Sequence, residues 1–533
     1  MNIRSYTTLL LTLVSCMMLK AQTIENIQAF IDKDCYLTGE QILVHVSVTD
    51  ADHKPMDMSK VAYVELCDTK QMHTQCMVQL KNGEGWAALD LPGSMHSGNY
   101  QMNVYTRYQR NFGSDCYYKR FVSVVNLLNP SADDDIEFLP LSAKSKSKTE
   151  KGQQRDLTNK YEYSVREKVS FSMPKVQGRS FTLSVCRKDV ATDDFEEVNY
   201  APKFKALDQI TYVPEFDGHI ALAKAADGKQ IDNSRLALVG KAATLFDGQI
   251  QKDGTVRYYT QGLYGSLPTC INGYSYGDAP VQMEFILPYE QVLPESVPAL
   301  KLYYDENELK DRSISAQIEK SKRDISLGTI IEHKTEFMRT KPDYFYDLDE
   351  YTKFRTVREI IIEFVFGLRT RTIDKRKVLF TFDSDTKEYS KWPAIVLLDG
   401  MPVYDIDALM DYDARRLKYV QIYSGRYLFG KSPCQGVISF ISRKGSLQDF
   451  LLDEGTQMFT YDFPQNRPAM LSPIYDDKSS RQPDFRHTLY FNPEVSGDCE
   501  FYTSDLTGTY QVLLQYVGND NQEHRIMKEI IVK

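Results

Sequence analysis

The chain has 533 residues, 42% of them hydrophobic, enough to bury the cores of roughly three to five ordinary domains. Its net charge of −9 and the lack of a long basic patch exclude the phosphate-backbone recognition that nucleic acid requires. Thirty-five tyrosines against two tryptophans suit many short strands with half-exposed aromatic positions, the composition of a mainly β chain.

Residues 1–22 read as an export signal. Arg4 supplies a basic start, 7–19 form an apolar run, and Ala21 is a small residue after which a peptidase could cut. The same stretch contains Leu13-Val14-Ser15-Cys16, a lipobox pattern that would make Cys16 a lipidated first residue, so cleavage after Ala21 and lipidation at Cys16 both stand. No later segment is a membrane span: 360–366 is broken by Glu363 and falls far short of the roughly 20 residues a spanning helix needs. Beyond Cys16 eight cysteines remain, none in a Cys-x-x-Cys arrangement, so neither a zinc ribbon nor a thioredoxin-like site is expected. For the four in the first domain, buried thiols and one or two disulfides are both compatible with an oxidising compartment.

The first domain is expected over 23–130. Ile42, Val44, Val46 and Val48 alternate with outward residues after a turn at Gly39, and further strands are read at 61–66, 77–80, 85–89 and 100–105. Short strands without intervening helical periodicity predict a β-sandwich. Asp32-Lys33-Asp34, Tyr36 and Gly39-Glu40, with Tyr63-Val64-Glu65-Leu66 and Ser97-Gly98-Asn99-Tyr100, resemble the macroglobulin-like domain of bacterial alpha-2-macroglobulins and related Bacteroidetes envelope proteins. That resemblance raises protease trapping through an internal thioester. Thr38 stands where the required cysteine would precede Gly39-Glu40-Gln41, so thioester chemistry is not expected.

A polar linker is read at 131–160, in which Lys144, Lys146, Lys148 and Lys151 are a candidate bait loop for a protease inhibitor that works without a thioester. A second, macroglobulin-like β-domain is expected at 161–210 and a third sandwich at 211–300. The segment 301–343 reads as a second linker with room for an amphipathic helix.

From 344 to 446 the pattern changes to α+β. Thr356 and Glu359 form a capping-box signature before an apolar run, so a helix is expected to end near Gly367. Asp399-Gly400 is a hairpin signal after a doubly buried strand at 394–398, an acidic helix follows, and a glycine-punctuated loop at 424–430 precedes a strand from Gly436. The run Leu398-Asp399-Gly400-Met401-Pro402-Val403 with Gly436-Val437-Ile438-Ser439-Phe440 resembles the plug domain of TonB-dependent outer-membrane receptors. The resemblance makes Asp399, Gly400, Pro402, Tyr423, Gly425, Tyr427, Gly430 and Gly436 the interaction candidates. After it come an irregular connector at 447–485 and a small β-domain at 486–533, too little chain for the 22-stranded barrel of such receptors.

No His-Glu-x-x-His, Gly-x-Ser-x-Gly or P-loop pattern occurs. Asp405, Asp407, Asp411 and Asp413 do not have EF-hand spacing, so no metal or other cofactor is expected. A hydrolase using two distant carboxylates stays an open alternative. The sequence therefore predicts tandem macroglobulin- or immunoglobulin-like sandwiches, a plug-like α+β domain and a C-terminal β-domain, in a non-enzymatic envelope protein of the periplasm or outer membrane. Its expected partners are outer-membrane or periplasmic proteins, a separate β-barrel of a transport system among them, with membrane association through a partner or through lipidation.

Overall fold

Alternation of apolar and polar residues makes the first 100 described residues a pair of facing sheets. The strands Asn26–Ile31, Gln41–Thr49 and Glu84–Asp90 pair antiparallel in one sheet. Cys35–Leu37, Tyr118–Val125, Gly98–Thr106, Val61–Cys67 and Met72–Gln79 follow one another across the other. Ile42, Val44, Val46 and Val48 from the first and Ala62, Val64, Leu66 and Val104 from the second are wholly buried in one cluster between them, as the period of two requires. In this computed structural model the described residues are 23–128, 136–140, 157–188, 190–192, 202–205, 207, 209–240, 244–275, 279–326, 341–373, 375–429, 432–447, 449–466, 473–475 and 482–533. The export signal with Ala21 and Cys16, the lysines 144, 146, 148 and 151, and Gly430 lie outside them.

The protein is mainly β, 49% strand and 9% helix, and divides into two compact units. One comprises Met1–Phe216, Tyr289–Gly328 and Pro464–Lys533; the other comprises Asp217–Pro288 and Thr329–Phe463.

In the first unit, strands from the segments expected as separate domains at 161–210 and 486–533 form one sandwich. Its main sheet runs Glu162–Tyr163, Glu523–Val532, Gly508–Gly518, Gly178–Arg187, Thr488–Asn492, and a second layer pairs Lys168–Phe171 with Cys499–Tyr502. Val169, Phe171, Leu183 and Val185 share a core with Tyr510, Val512, Leu514 and Ile530. Among the described residues neither segment alone has enough strands to cover an apolar face, so each completes the other. The expected linkers are also partly structured. Ile136–Pro140 runs parallel to Leu300–Tyr304, Val190–Thr192 pairs on that strand's other side, and a helix follows at Glu306–Ser326.

In the second unit, strands between 219 and 286 form two four-stranded sheets. One of them gains its outer strand from Thr456–Asp462, which pairs with Ser266–Tyr274, inside the stretch expected to be an irregular connector. The α+β body of this unit has the sheet order Tyr344–Asp347, Leu417–Phe429, Ser432–Ser442, Ile395–Leu398, Met401–Pro402. It carries the helices Val357–Glu363 and Ile406–Asp411 and a three-stranded ribbon of Leu368–Ile373, Arg376–Asp383 and Glu388–Tyr389.

Candidate functional site

The α+β body is organised by its hairpin. Asp399 and Gly400 take φ of 46° and 83°, between Leu398 and Met401, which face each other in the ladder. Two successive positive-φ residues are the signature of the type I′ turn that Asp-Gly favours. The Asp399 side chain is fully buried. It accepts from Ser442 N (2.7 Å), Ser442 Oγ (2.5 Å) and Leu447 N (2.8 Å), so it ties the turn to the end of the neighbouring strand. This carboxylate is a structural clamp rather than a ligand-facing group.

The other described motif residues are also used internally. Pro402 is buried opposite Leu397. Tyr423 packs with Ile395, Leu397, Cys434 and Val437, and Tyr427 leans on the same cluster. A Cβ on Gly425 would lie 3.1 Å from the Tyr427 hydroxyl. At Gly436, φ is 96° and a Cβ would lie 2.2 Å from Thr381 Oγ1, so a crossing side chain leaves room for glycine alone. Over 424–429 the expected glycine loop is instead a continuation of paired strand. Leu417–Phe429 and Ser432–Ser442 stay in register except for shifts at 417–419 and 423–426, where bulges absorb the extra residues.

Helix Val357–Glu363 has the expected capping box: Thr356 Oγ1 accepts from Glu359 N at 3.3 Å, and Thr356 N donates to Glu359 Oε2 at 3.1 Å. It stops before Gly367 because Phe364 N and Val365 N both close on Ile360 O, and the φ of 91° at Gly367 serves the turn into the next strand. Val357 and Ile360 are buried, whereas Ile362 and Phe366 are 72% and 71% exposed.

The carboxylates of the acidic helix do not converge. Asp405 caps Ala408 N, Asp407 pairs with Lys377, Asp411 with Arg358, and Asp413 with Arg415. A more connected cluster, missed in the sequence, lies at the strand ends. Asp349 is gripped by Arg443 (2.7 and 3.2 Å) and Lys418 (2.6 Å), and Lys418 also reaches Asp347. Those two cations hold the Asp349 carboxyl well below the usual carboxylate range. Arg443-Lys444-Gly445 was legible as a strand end, but its partners 94 and 28 residues away were not.

In the first unit the Asp32 to Glu40 motif proves equally structural. Asp32 accepts from Tyr36 OH (2.6 Å), Leu43 N (3.1 Å) and Thr488 Oγ1 (3.0 Å). Gly39 takes φ of 86°. Glu40 receives Arg312 through Nε at 3.0 Å and Nη2 at 2.9 Å, with Lys33 at 3.0 Å. Burial pushes the Glu40 carboxyl up, but the Arg312 guanidinium and the Lys33 ammonium together outweigh it and hold it far below its ordinary value. Seven of the eight cysteines beyond the signal are buried and Cys499 is half-buried. Burial pushes the thiols of Cys67 and Cys186 up to about 12, so these behave as small apolar groups.

No protein-family model matches the chain, and no curated protein matches it. Among solved structures it is similar to a Salmonella alpha-2-macroglobulin mutant at 10% identity and a TM-score of 0.17, over 95% of this chain and 23% of that one. It is also similar to Escherichia coli alpha-2-macroglobulin in its native conformation, at 10% identity and a TM-score of 0.23, over 96% and 40%. The elastase-activated form of the E. coli protein gives 10% and 0.23 over 96% and 44%. This chain spans less than half the length of these macroglobulins. At such TM-scores the likeness carries no argument about activity or partners, and the conclusion drawn from the geometry is a mainly β protein of packed sheets.

Proposed function

We propose that this chain is a non-enzymatic, exported cell-envelope protein that binds other proteins, with macroglobulin-like sandwiches and a plug-like body at 344–446. The observation that carries this reading is how the plug-like motif is used. Its aspartate, glycines and tyrosines close their own core, and the surface of the same body offers strand edges and large exposed apolar side chains. Phe345, Ile362, Phe366 and Trp392 are among them. Exposed aromatic side chains and unpaired strand edges suit recognition of a polypeptide better than of a small molecule.

The test is affinity purification of the tagged protein from gently solubilised envelopes, with mass spectrometry of its partners and of its own amino terminus. Recovery of a stoichiometric partner is expected, and a β-barrel protein would make the plug-like body a docking element of a transport system. Recovery of the chain alone at every detergent and salt condition would overturn the binding reading. An amino terminus at Gln22 or Thr23 would support cleavage, and a lipidated Cys16 would support membrane anchoring.

A further inference from the structure

The strand Leu368–Ile373 has no buried face. Leu368 is half-buried and Arg369, Thr370, Arg371, Thr372 and Ile373 are all exposed. It nevertheless pairs in unbroken register with Arg376–Asp383 and sits at the margin of its three-stranded ribbon. The direction of its backbone groups follows from one bond beside it. Phe382 N donates to Gly367 O at 2.7 Å, and antiparallel pairs alternate between bonded and non-bonded. Positions 369, 371 and 373 therefore bond inward, and Thr370 and Thr372 present N–H and C=O to the open edge. Ser390 N to Thr381 O and Ala394 N to Leu379 O, both 2.8 Å, fit the same alternation on the far side of the middle strand.

The charge on this edge is opposite to that of the molecule. Arg369, Arg371, Lys375, Arg376 and Lys377 crowd nine positions of a chain whose net charge is −9, and Lys377 is paired with Asp407. Arg369 lies over the Tyr389 ring at 5.6 Å and Arg371 over Phe380 at 5.3 Å. Stacking occupies the face of a guanidinium and leaves its in-plane N–H donors for an anion. Alternate residues of a strand point to one side about 7 Å apart, so the two arginines match carboxylates at every second position of an extended partner. The same cations repel a second copy of this strand, which selects against self-pairing.

We propose that an acidic polypeptide segment in extended conformation adds as a fourth strand along the outer edge of Leu368–Ile373, with alternate carboxylates on Arg369 and Arg371. Main-chain bonds to Thr370 and Thr372 supply the pairing, and the arginines supply the choice of partner. This rests on the protein-binding reading and names the partner's chemistry.

The probe is a fluorescein-labelled ten-residue peptide alternating Glu and Thr, titrated by anisotropy against the whole chain. Arg369→Glu with Arg371→Glu is expected to weaken binding by about tenfold or more, as for a close charge pair. Thr370→Pro keeps every charge and every inward bond but removes an outward N–H, and is expected to weaken it as well, with the unfolding midpoint unchanged. Equal binding by the charge-reversed chain, or equally tight binding of a peptide N-methylated at every second residue, would overturn the proposal. So would phosphatidylglycerol vesicles binding this edge where the peptide does not. The envelope purification is repeated with the double variant: a partner that it retains sinks the edge proposal and leaves the binding reading standing, whereas a partner lost only from the variant supports both.

Discussion

Arg312 heads the side chains that are large and fully buried, and its charge is tolerated because Glu40 meets it with two parallel bonds. Removing one member of such a pair strands the other without water. Arg312→Ala is expected to cost about 3–5 kcal/mol in urea unfolding; a loss below about 1 kcal/mol would show that Lys33 alone neutralises Glu40. Glu25 presents the opposite case. It is buried, Thr106 donates to it, and burial together with nearby Glu215 leaves its pKa at about 7 instead of 4.5. A folded-state value above the unfolded one means that the neutral form is favoured in the fold. Its contribution is whole below pH 4.5 and is lost as pH rises through 7. A shift of that size is on the order of 3 kcal/mol. Glu25→Gln should therefore hold its melting temperature between pH 5 and pH 8 better than the native chain, and parallel declines of the two would show that Glu25 is not the group responsible.

Among the elements, those specified by their own few residues were legible and those specified by a distant neighbour were not. Asp399-Gly400 could be read as a tight hairpin because only residues that accept positive φ fit there, and the Thr356 and Glu359 capping box is complete within four positions. The clamp that the Asp399 side chain makes on Ser442 and Leu447 had no local signal. Gly436 shows the same division: its glycine was visible, but the reason, Thr381 crossing at 2.2 Å from a would-be Cβ, is 55 residues away in sequence. Gly436→Ala is expected to destabilise the second unit by roughly 2–4 kcal/mol through strain and overpacking. Adding Thr381→Ala should return part of that loss in thermal unfolding; no recovery would place the strain in the backbone angle alone.

For the whole molecule, the strand Gly508–Gly518 is the decisive piece, since it lies between Glu523–Val532 and Gly178–Arg187 in the same sheet. A chain ending before 508 loses it and bares Leu183 and Val185. Limited proteolysis with mass spectrometry is expected to show new cleavage within 157–192 while 344–446 stays protected. Protection of both segments would mean that the earlier strands fold without their C-terminal partners.

The sequence by itself determined the mainly β class, the first sandwich, the hairpin, the helix cap and the small α+β body, because alternation, turn chemistry and capping act over a few residues. Only the tertiary structure decided that strands within 162–187 and 488–532 are one sandwich, that Thr456–Asp462 edges a sheet begun more than 200 residues earlier, and that Arg312 answers Glu40. A strand's own period says that it has an apolar face, and any strand of matching register could cover it. Which one does is set by how the whole chain closes its cores.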